Sequence, residues 1–454
     1  MHDTIVIGGG IAGLTAAWSL RNAGKDVVVL EEQTRAGGNV YTVEADGYRM
    51  ESGPHSFMGS SENLWNLVEA AGLEERVEPA ADVAANRFIY RDGRLVPLPL
   101  SATSFLSSRI LSFRGKCRLA MEPFVRNGAR EDDTAWDFFV RRFGVEAASY
   151  IMSPFISGIY AGDIRQLGAR AAFPKFWRFE KESGSMIRGA LGYLRAKRKR
   201  LKAEGKAVRK GLFSFTGGLG SLTGFLASDL AGSVRTGLAV SALQTVPRGF
   251  SVRHAQGETS GRTVVLAAPP HRAAGLLPPD LSDASALLRT IPMAPVALVH
   301  WSVRRERLAM PEGFGFLVPR GQGVRVLGTL FPSQLFSGRA PDGLQLMASY
   351  YGGMLDPEAA SLPDRELAAL VAREHNVVLG ADPGIPEMVR IMRYSHAIPQ
   401  LTPDHQERIA AARAAVGRTK GLVLAGNYLT GVGIEHAVES GLAAAGDTLH
   451  HLEA

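Results

Sequence analysis

The chain opens on a short apolar run, Thr4-Ile5-Val6-Ile7, rich in β-branched residues. Such a run predicts a strand buried on both faces. Three glycines follow, and Ile11 to Ala23 then spaces Leu14, Trp18 and Leu20 as a helix must to pack on a sheet. Gly24 ends that helix, and Val27-Val28-Val29-Leu30 is a second buried strand. Strand, tight turn, helix and strand make a βαβ opening. Val40–Val43 and Gly47–Glu51 alternate around Asp46-Gly47, which predicts an antiparallel hairpin.

From about Leu95 to Lys210 the texture is helical. Trp136, Phe139, Val140 and Phe143 fall at i, i+3, i+4 and i+7 behind a cap at Asp133 or Thr134, as in a helix packing on its own domain. Phe105 to Phe124 interleaves Phe, Leu, Ile and Met with Arg109, Arg114, Lys116 and Arg118. It predicts an amphipathic helix, suited to a membrane interface or to core packing. After Gly211 strands return over Val234–Val246, Phe250–His254, Thr263–Leu266, Val296–Val303 and Leu344–Tyr350, with a helix over Asp364–Val378. A last buried strand, Gly421–Ala425, runs into a helix from Glu435 to Leu449. There is no internal repeat.

With 454 residues the chain is too long for one simple core and predicts two or three domains. At 46% apolar and 21% charged it is a folded protein, not a disordered or collagen-like one. The single cysteine, Cys117, permits no internal disulfide and no Cys-based zinc site, which predicts a reducing compartment. No apolar run reaches the roughly 18 residues of a spanning helix. The opening MHDTIVIGGG has no basic n-region, so a cytoplasmic protein is expected. The net charge of +7 is local: Arg195 to Lys210 holds nine Lys or Arg and one Glu, leaving 42 basic and 43 acidic residues elsewhere. No nucleic-acid-binding face follows from it; a solvated basic linker or helix end is the simpler reading, an anionic-lipid contact the other.

Gly8-Gly9-Gly10-Ile11-Ala12-Gly13 fits G-x-G-x-x-G between strand and helix. Gly8 allows the tight turn, Gly10 admits a diphosphate near the backbone, and Gly13 lets helix and strand approach. The helix start then offers free N–H groups and its positive dipole end. Glu31 closes the second strand, with 17 residues between it and Gly13, where a carboxylate can accept hydrogen bonds from a ribose diol. The combination points to an adenine dinucleotide.

Arg35-Ala36-Gly37-Gly38 resembles the segment that follows this acid in the amine oxidase and phytoene desaturase flavoprotein superfamily. Gly426-Asn427-Tyr428-Leu429, Gly431-Val432-Gly433-Ile434-Glu435 and Glu439-Ser440-Gly441 resemble its C-terminal flavin motif. Gly53-Pro54-His55-Ser56-Phe57, Gly158-Ile159-Tyr160-Ala161-Gly162-Asp163, Gly313-Phe314-Gly315-Phe316-Leu317-Val318-Pro319 and Ala397-Ile398-Pro399-Gln400 narrow the resemblance to the oxygen-dependent protoporphyrinogen oxidases. The sequence departs after Gln400, where Leu401-Thr402-Pro403-Asp404-His405 replaces the family's usual Tyr and Gly-His.

The resemblance implies a mixed α/β fold: a Rossmann-like FAD-binding domain discontinuous in sequence (1–86, 209–275 and 385–454), a mixed-sheet substrate domain (87–94 and 276–384) and a helical, membrane-associating insertion (95–208). FAD would be held non-covalently by Gly8, Gly9, Gly10, Ile11, Ala12, Gly13, Glu31, Glu32, Arg35, Gly38, Asn39, Gly53, Pro54, His55, Ser56, Val240, Gly426, Asn427, Val432, Gly433 and Ile434. Gly158, Ile159, Phe314, Leu317 and Met347 would line an apolar porphyrinogen slot, and Arg87 would hold a propionate. No side chain need act as acid or base, because the flavin takes the hydride. Oxygen would be the acceptor; no metal or nucleic acid is expected, and peripheral contact with anionic membrane and a homodimer are compatible with the resemblance. Three other activities stay open: coproporphyrinogen oxidation, amine oxidation, and a flavin-binding scaffold without turnover. Against amine oxidation, no lysine lies between Lys210 and Lys420 to hold a water near the flavin.

Overall fold

The computed structural model describes residues 1–203, 209–308, 310–380 and 386–453. Residues 204–208 of the basic run, and the expected domain boundaries at 208/209 and 384/385, lie outside the described residues.

The βαβ opening forms as its pattern predicts: strands His2–Ile7 and Val27–Leu30 pair in parallel and flank the helix Ile11–Asn22. They sit in a seven-stranded sheet with Val234–Arg235 at one edge. On the other side come Gly257–Leu266, Gly249–His254 and Val240–Val246, with Leu422–Leu424 parallel to Gly257–Leu266. Alternate residues serve opposite cores. Val6, Val29, Val265 and Val423 pack with the helices on one face. Ile5, Val28, Val264 and Leu424 pack on the other, with Ile409 and Ala412. The C-terminal helix Ile434–Glu453 lies on Ile11–Asn22. Gly441 makes that approach possible, since a Cβ there would press on the carbonyl of Ala12.

A second seven-stranded sheet runs in the order Met388–Pro399, Met293–Arg304, Leu344–Gly352, Gly328–Leu330, Gly315–Leu317, Arg87–Arg91, Arg94–Pro97. One face packs on the helix Asp364–Leu379 through Trp301, Met347, Tyr351, Leu367 and Val371. Here the expected segment from 385 onward needs correction. Met388–Pro399 pairs antiparallel with Met293–Arg304 and so belongs to this sheet. As a half-exposed edge strand it carries Arg390, Arg393 and His396 in place of an apolar run.

Residues 102–203 are mainly helical. The expected continuous helix over Phe105–Phe124 is instead two helices, Ala102–Ser107 and Phe113–Ala120. Ser112 is extended and its hydroxyl accepts the Gly115 N–H, so it starts a new helix. Thr134 caps Ala135–Phe143, whose Phe138 and Phe139 are fully buried. Behind them lies a buried ionic centre: Arg142 binds Glu122, and Glu180 approaches at 3.5 Å, all fully buried. Glu122 also accepts the Met186 N–H at 2.8 Å and the Ser185 hydroxyl at 2.6 Å, fixing the start of the helix Met186–Ala203. No described helix is long and apolar enough to cross a membrane.

Candidate active site

One cavity of about 1170 Å³ runs from the end of the first strand to the underside of the second sheet and the helical region. That exceeds the usual single-ligand pocket of roughly 300–1,000 Å³ and leaves room for a dinucleotide with a second ligand. At one end the backbone turns at Gly8, with φ of +106°, where a Cβ would lie 2.6 Å from the Ala267 carbonyl oxygen. A Cβ on Gly13 would press on the Gly8 carbonyl, whereas one on Gly10 would meet nothing within 4 Å. The first two glycines named serve packing; Gly10 faces open space.

The helix Ile11–Asn22 starts at this spot with no side-chain cap and no acid in its first turn, so its free N–H groups can receive an anionic diphosphate. Glu31 is buried at the cavity wall. Its two oxygens accept the Gly9 N–H at 2.6 Å and the Gln33 N–H at 2.8 Å. A carboxylate has about four lone-pair sites, so capacity remains for a diol. Gly8, Gly10, Ile11, Ala12, Glu31, Glu32, Gly38, Asn39, Gly53, Pro54, His55, Ser56 and Val240 all line this cavity. So do Gly426, Asn427, Val432, Gly433 and Ile434 from the far end of the chain. Three expected residues stand behind the wall. Gly9 spends its N–H on Glu31, Gly13 packs the helix, and Arg35 stacks on Tyr41 while donating to the Gly38 carbonyl. Glu32 is paired with Arg272. The residues present fit an adenine dinucleotide.

The other half of the cavity is mostly apolar. Gly158 and Ile159 come from the helix Ser153–Tyr160, and Phe314 and Leu317 from the second sheet. A Cβ on Gly158 would lie 2.5 Å from Leu317 Cδ2, so the glycine lets the helix Ser153–Tyr160 close directly on Leu317. Arg87 lines the same half with its guanidinium 5.1 Å from the centre of the Phe314 ring. Its side chain has no hydrogen-bond or ion-pair partner among the described residues, and burial pulls its pKa below the usual arginine range.

Met347 does not join them. It is fully buried on the opposite face of Leu344–Gly352, with Trp301 and Tyr351. Tyr350, one face over, lines the cavity in its place. Tyr394, whose hydroxyl donates to the Ser52 carbonyl, Phe143 and Met186 also line it and were not anticipated. Strand parity sets Met347 and Tyr350 on opposite faces, and packing decides which of them meets the cavity. Two further imidazole facts bear on the chemistry. His55 is buried and its pKa is driven well below the usual value, by desolvation and then by His300 and Arg339. His300 is pushed down to about 4, chiefly by burial. Both rings are neutral at neutral pH.

The flavin containing amine oxidoreductase family model matches residues 11–449. Among curated relatives, the chain is 33% identical over 476 residues to protoporphyrinogen oxidase 1, chloroplastic, of Spinacia oleracea, covering 99% of this chain and 84% of that protein. It is 30% identical to coproporphyrinogen III oxidase of Bacillus subtilis (strain 168), covering 99% of this chain and 98% of that one. A crystal structure of a protein from Exiguobacterium sp. 255-15, provisionally described as a protoporphyrinogen oxidase, superposes with a TM-score of 0.84 at 25% identity over 100% of this chain and 99% of that one. The chain is a flavoenzyme oxidoreductase of the flavin-containing amine oxidoreductase family, and belongs within it to the protoporphyrinogen oxidases.

Proposed function

We propose that this chain, with FAD bound non-covalently, oxidises protoporphyrinogen IX to protoporphyrin IX in three two-electron steps, with oxygen as acceptor and peroxide released, in tetrapyrrole biosynthesis. The observation that carries the reading is a single cavity joining a dinucleotide-type strand–helix end to an apolar slot that holds one unpaired arginine. A bound flavin supplies acceptance of a hydride from a C–H bond and its passage to oxygen.

The chain's own residues bind and orient. Glu31 holds the ribose end and the start of Ile11–Asn22 holds the diphosphate. Gly158, Leu317 and Phe314 supply apolar wall against which the macrocycle lies. Arg87 fixes its direction through a propionate, as a bidentate fork can. Such positioning converts a bimolecular encounter into an oriented one. Cys117 is exposed and is not a cavity residue, in keeping with an untethered cofactor.

Coproporphyrinogen oxidation is the second reading, motivated by the Bacillus relative. The cavity's charge favours the first. Its arginines are Arg87 and Arg272, and Arg272 is committed to Glu32, leaving little for four carboxylates. Among the described residues no lysine lines the cavity, which weighs against amine oxidation. Leu106, Phe113 and Phe124 are 71–81% exposed among the basic residues of 105–124 and support peripheral contact with an anionic membrane. Aerobic fluorescence assays with both porphyrinogens test the substrate; liposome flotation at low and high salt tests the membrane contact. Failure to oxidise either porphyrinogen, or failure to float at low salt, would remove the corresponding part.

A further inference from the structure

The segment Gln400–His405, most of which departs from the family pattern, ties two walls of the cavity together. Gln400 and His405 are both buried. The Gln400 amide Nε2 donates to the Tyr160 carbonyl at 2.8 Å and to the Ile398 carbonyl at 3.1 Å. Carbonyls only accept, so the amide can face them only with its nitrogen. Tyr160 ends the helix Ser153–Tyr160, whose last carbonyls have no partner within the helix. Gln400 therefore caps the helix that carries Gly158 and Ile159 to the cavity. Gly162 leaves it room, since a Cβ there would lie 2.5 Å from Gln400 Oε1.

His405 grips the other wall. Its Nε2 lies 2.8 Å from the carbonyl oxygen of Tyr428, in the turn Asn427–Leu429 that follows the strand Leu422–Leu424. That oxygen only accepts, so Nε2 carries the hydrogen. Burial lowers the His405 pKa, and Nδ1 is sealed without a partner among the described residues. The ring is therefore neutral at neutral pH, and its one N–H is spent on the turn. Asn427 and Tyr428 of that turn line the cavity. Between the two grips the chain has little freedom. The Thr402 hydroxyl donates to Asp404 at 2.7 Å, and Arg408 reaches Thr402 at 3.2 Å and Asp404 at 2.6 Å. Leu401 is fully buried among the helices of the insertion.

We propose that Gln400–His405 is a brace that fixes the substrate helix against the cofactor turn. Gln400 and His405 are then positioning residues, which set the separation of the cavity's two ligands and leave the affinity for each to others. This rests on the porphyrinogen reading above. Neither residue lines the cavity, so each acts only through the backbone carbonyl it holds. Glu31 and Arg87, which make the polar contacts, stand on other segments of the chain, so binding survives when the brace is cut. Rate does not, because a misplacement of about 1 Å between reacting groups can cost on the order of 100-fold.

The test uses full-length, flavin-loaded protein with Gln400→Leu, His405→Phe and the two together. Three quantities are read: the flavin-to-protein ratio, the Kd of protoporphyrin from fluorescence quenching, and the rate at which protoporphyrinogen bleaches the flavin in an anaerobic single turnover. Each single variant keeps its flavin and binds protoporphyrin within about twofold of wild type, while bleaching slows roughly tenfold or more. Cutting a brace at either end releases it, so the double variant is about as slow as the slower single one; independent structural damage would multiply. His405→Gln, whose amide N–H can reach the Tyr428 carbonyl, keeps the wild-type rate, and Gln400→Asn, one methylene shorter, does not. Unchanged bleaching in both single variants overturns the proposal, as do losses that multiply in the double variant. A loss accounted for by missing flavin or weaker protoporphyrin binding overturns it too. If a variant fails to fold, His405→Gln and Gln400→Asn decide alone: the second slowed and the first not supports the brace, and any other pairing overturns it. A wild-type protein that neither oxidises a porphyrinogen nor binds a porphyrin overturns the proposed function and this inference with it. Wild-type turnover with unaltered variants overturns this inference only.

Discussion

Removing the Arg87 side chain tests the proposed anchoring of the substrate. In the free protein this guanidinium lies over the Phe314 ring and has no ion-pair partner among the described residues, so Arg87→Ala strands no buried carboxylate. Folding stability should therefore change little, and Tm should stay within a degree or two of wild type. Binding is different. A charge-assisted hydrogen bond is worth about 1.5–3 kcal/mol, but Arg87 is exposed enough for solvent to weaken it, so about 1–2 kcal/mol is expected. That is roughly a 5- to 30-fold rise in KM for protoporphyrinogen. The loss in kcat should be smaller, because orientation is relaxed while the apolar walls at Gly158, Phe314 and Leu317 remain. Arg87→Lys should recover only part of the loss, since the ammonium keeps charge without the fork. Steady-state porphyrin fluorescence in air measures both constants. An unchanged KM in Arg87→Ala, at full flavin occupancy, would refute the anchoring role.

Other consequences follow from buried groups. Glu31→Ala strands the Gly9 and Gln33 amides and removes the diol acceptor, so flavin affinity should fall by about 1–3 kcal/mol. Acid precipitation and absorbance of the released flavin measure it. Arg142→Ala leaves Glu122 buried without its counter-ion, while Glu180 keeps Arg141, and urea unfolding should show a loss of about 3–5 kcal/mol. The helix start at Met186 should loosen with it. His300 and His375 both have folded pKa values near 4, lowered chiefly by burial. A depressed imidazole contributes stability that is full above the unfolded value near 6.5 and is lost as pH falls through 6.5 to 4, while Glu51, raised by burial to about 7, works oppositely. Urea unfolding at pH 6.5, 5.5 and 4.5 should show falling stability, and His375→Gln should flatten that fall; an equal fall in the variant would contradict the assignment.

The strand–glycine–helix end of the cavity was legible because its constraints act on the backbone. Gly8 needs a left-handed conformation and Gly13 a missing Cβ, and both demands leave glycines at fixed spacing. Glu31 was readable because a strand must end where its acid is used. The substrate half is made by packing between distant segments, which leaves weaker marks. Whether Met347 or Tyr350 faces the slot depends on which side of Leu344–Gly352 the helix Asp364–Leu379 covers, and no local pattern states that. Met388–Pro399 hid for a related reason, since an edge strand with polar exposure carries no apolar run. The break at Ser112 was readable in principle, as Ser followed by a helical stretch is a start signal, but continuous amphipathicity masked it. The contact of His300 Nε2 with the Glu51 carbonyl joins residues 249 apart in sequence, which no local pattern states.

The most direct measurement is aerobic turnover of protoporphyrinogen IX and coproporphyrinogen III by the yellow, flavin-loaded protein, with oxygen uptake followed beside porphyrin fluorescence. The account predicts three oxygens consumed per porphyrin formed and a higher kcat/KM for protoporphyrinogen. Flavin-loaded protein that leaves protoporphyrinogen unoxidised, or prefers coproporphyrinogen by kcat/KM, would contradict it.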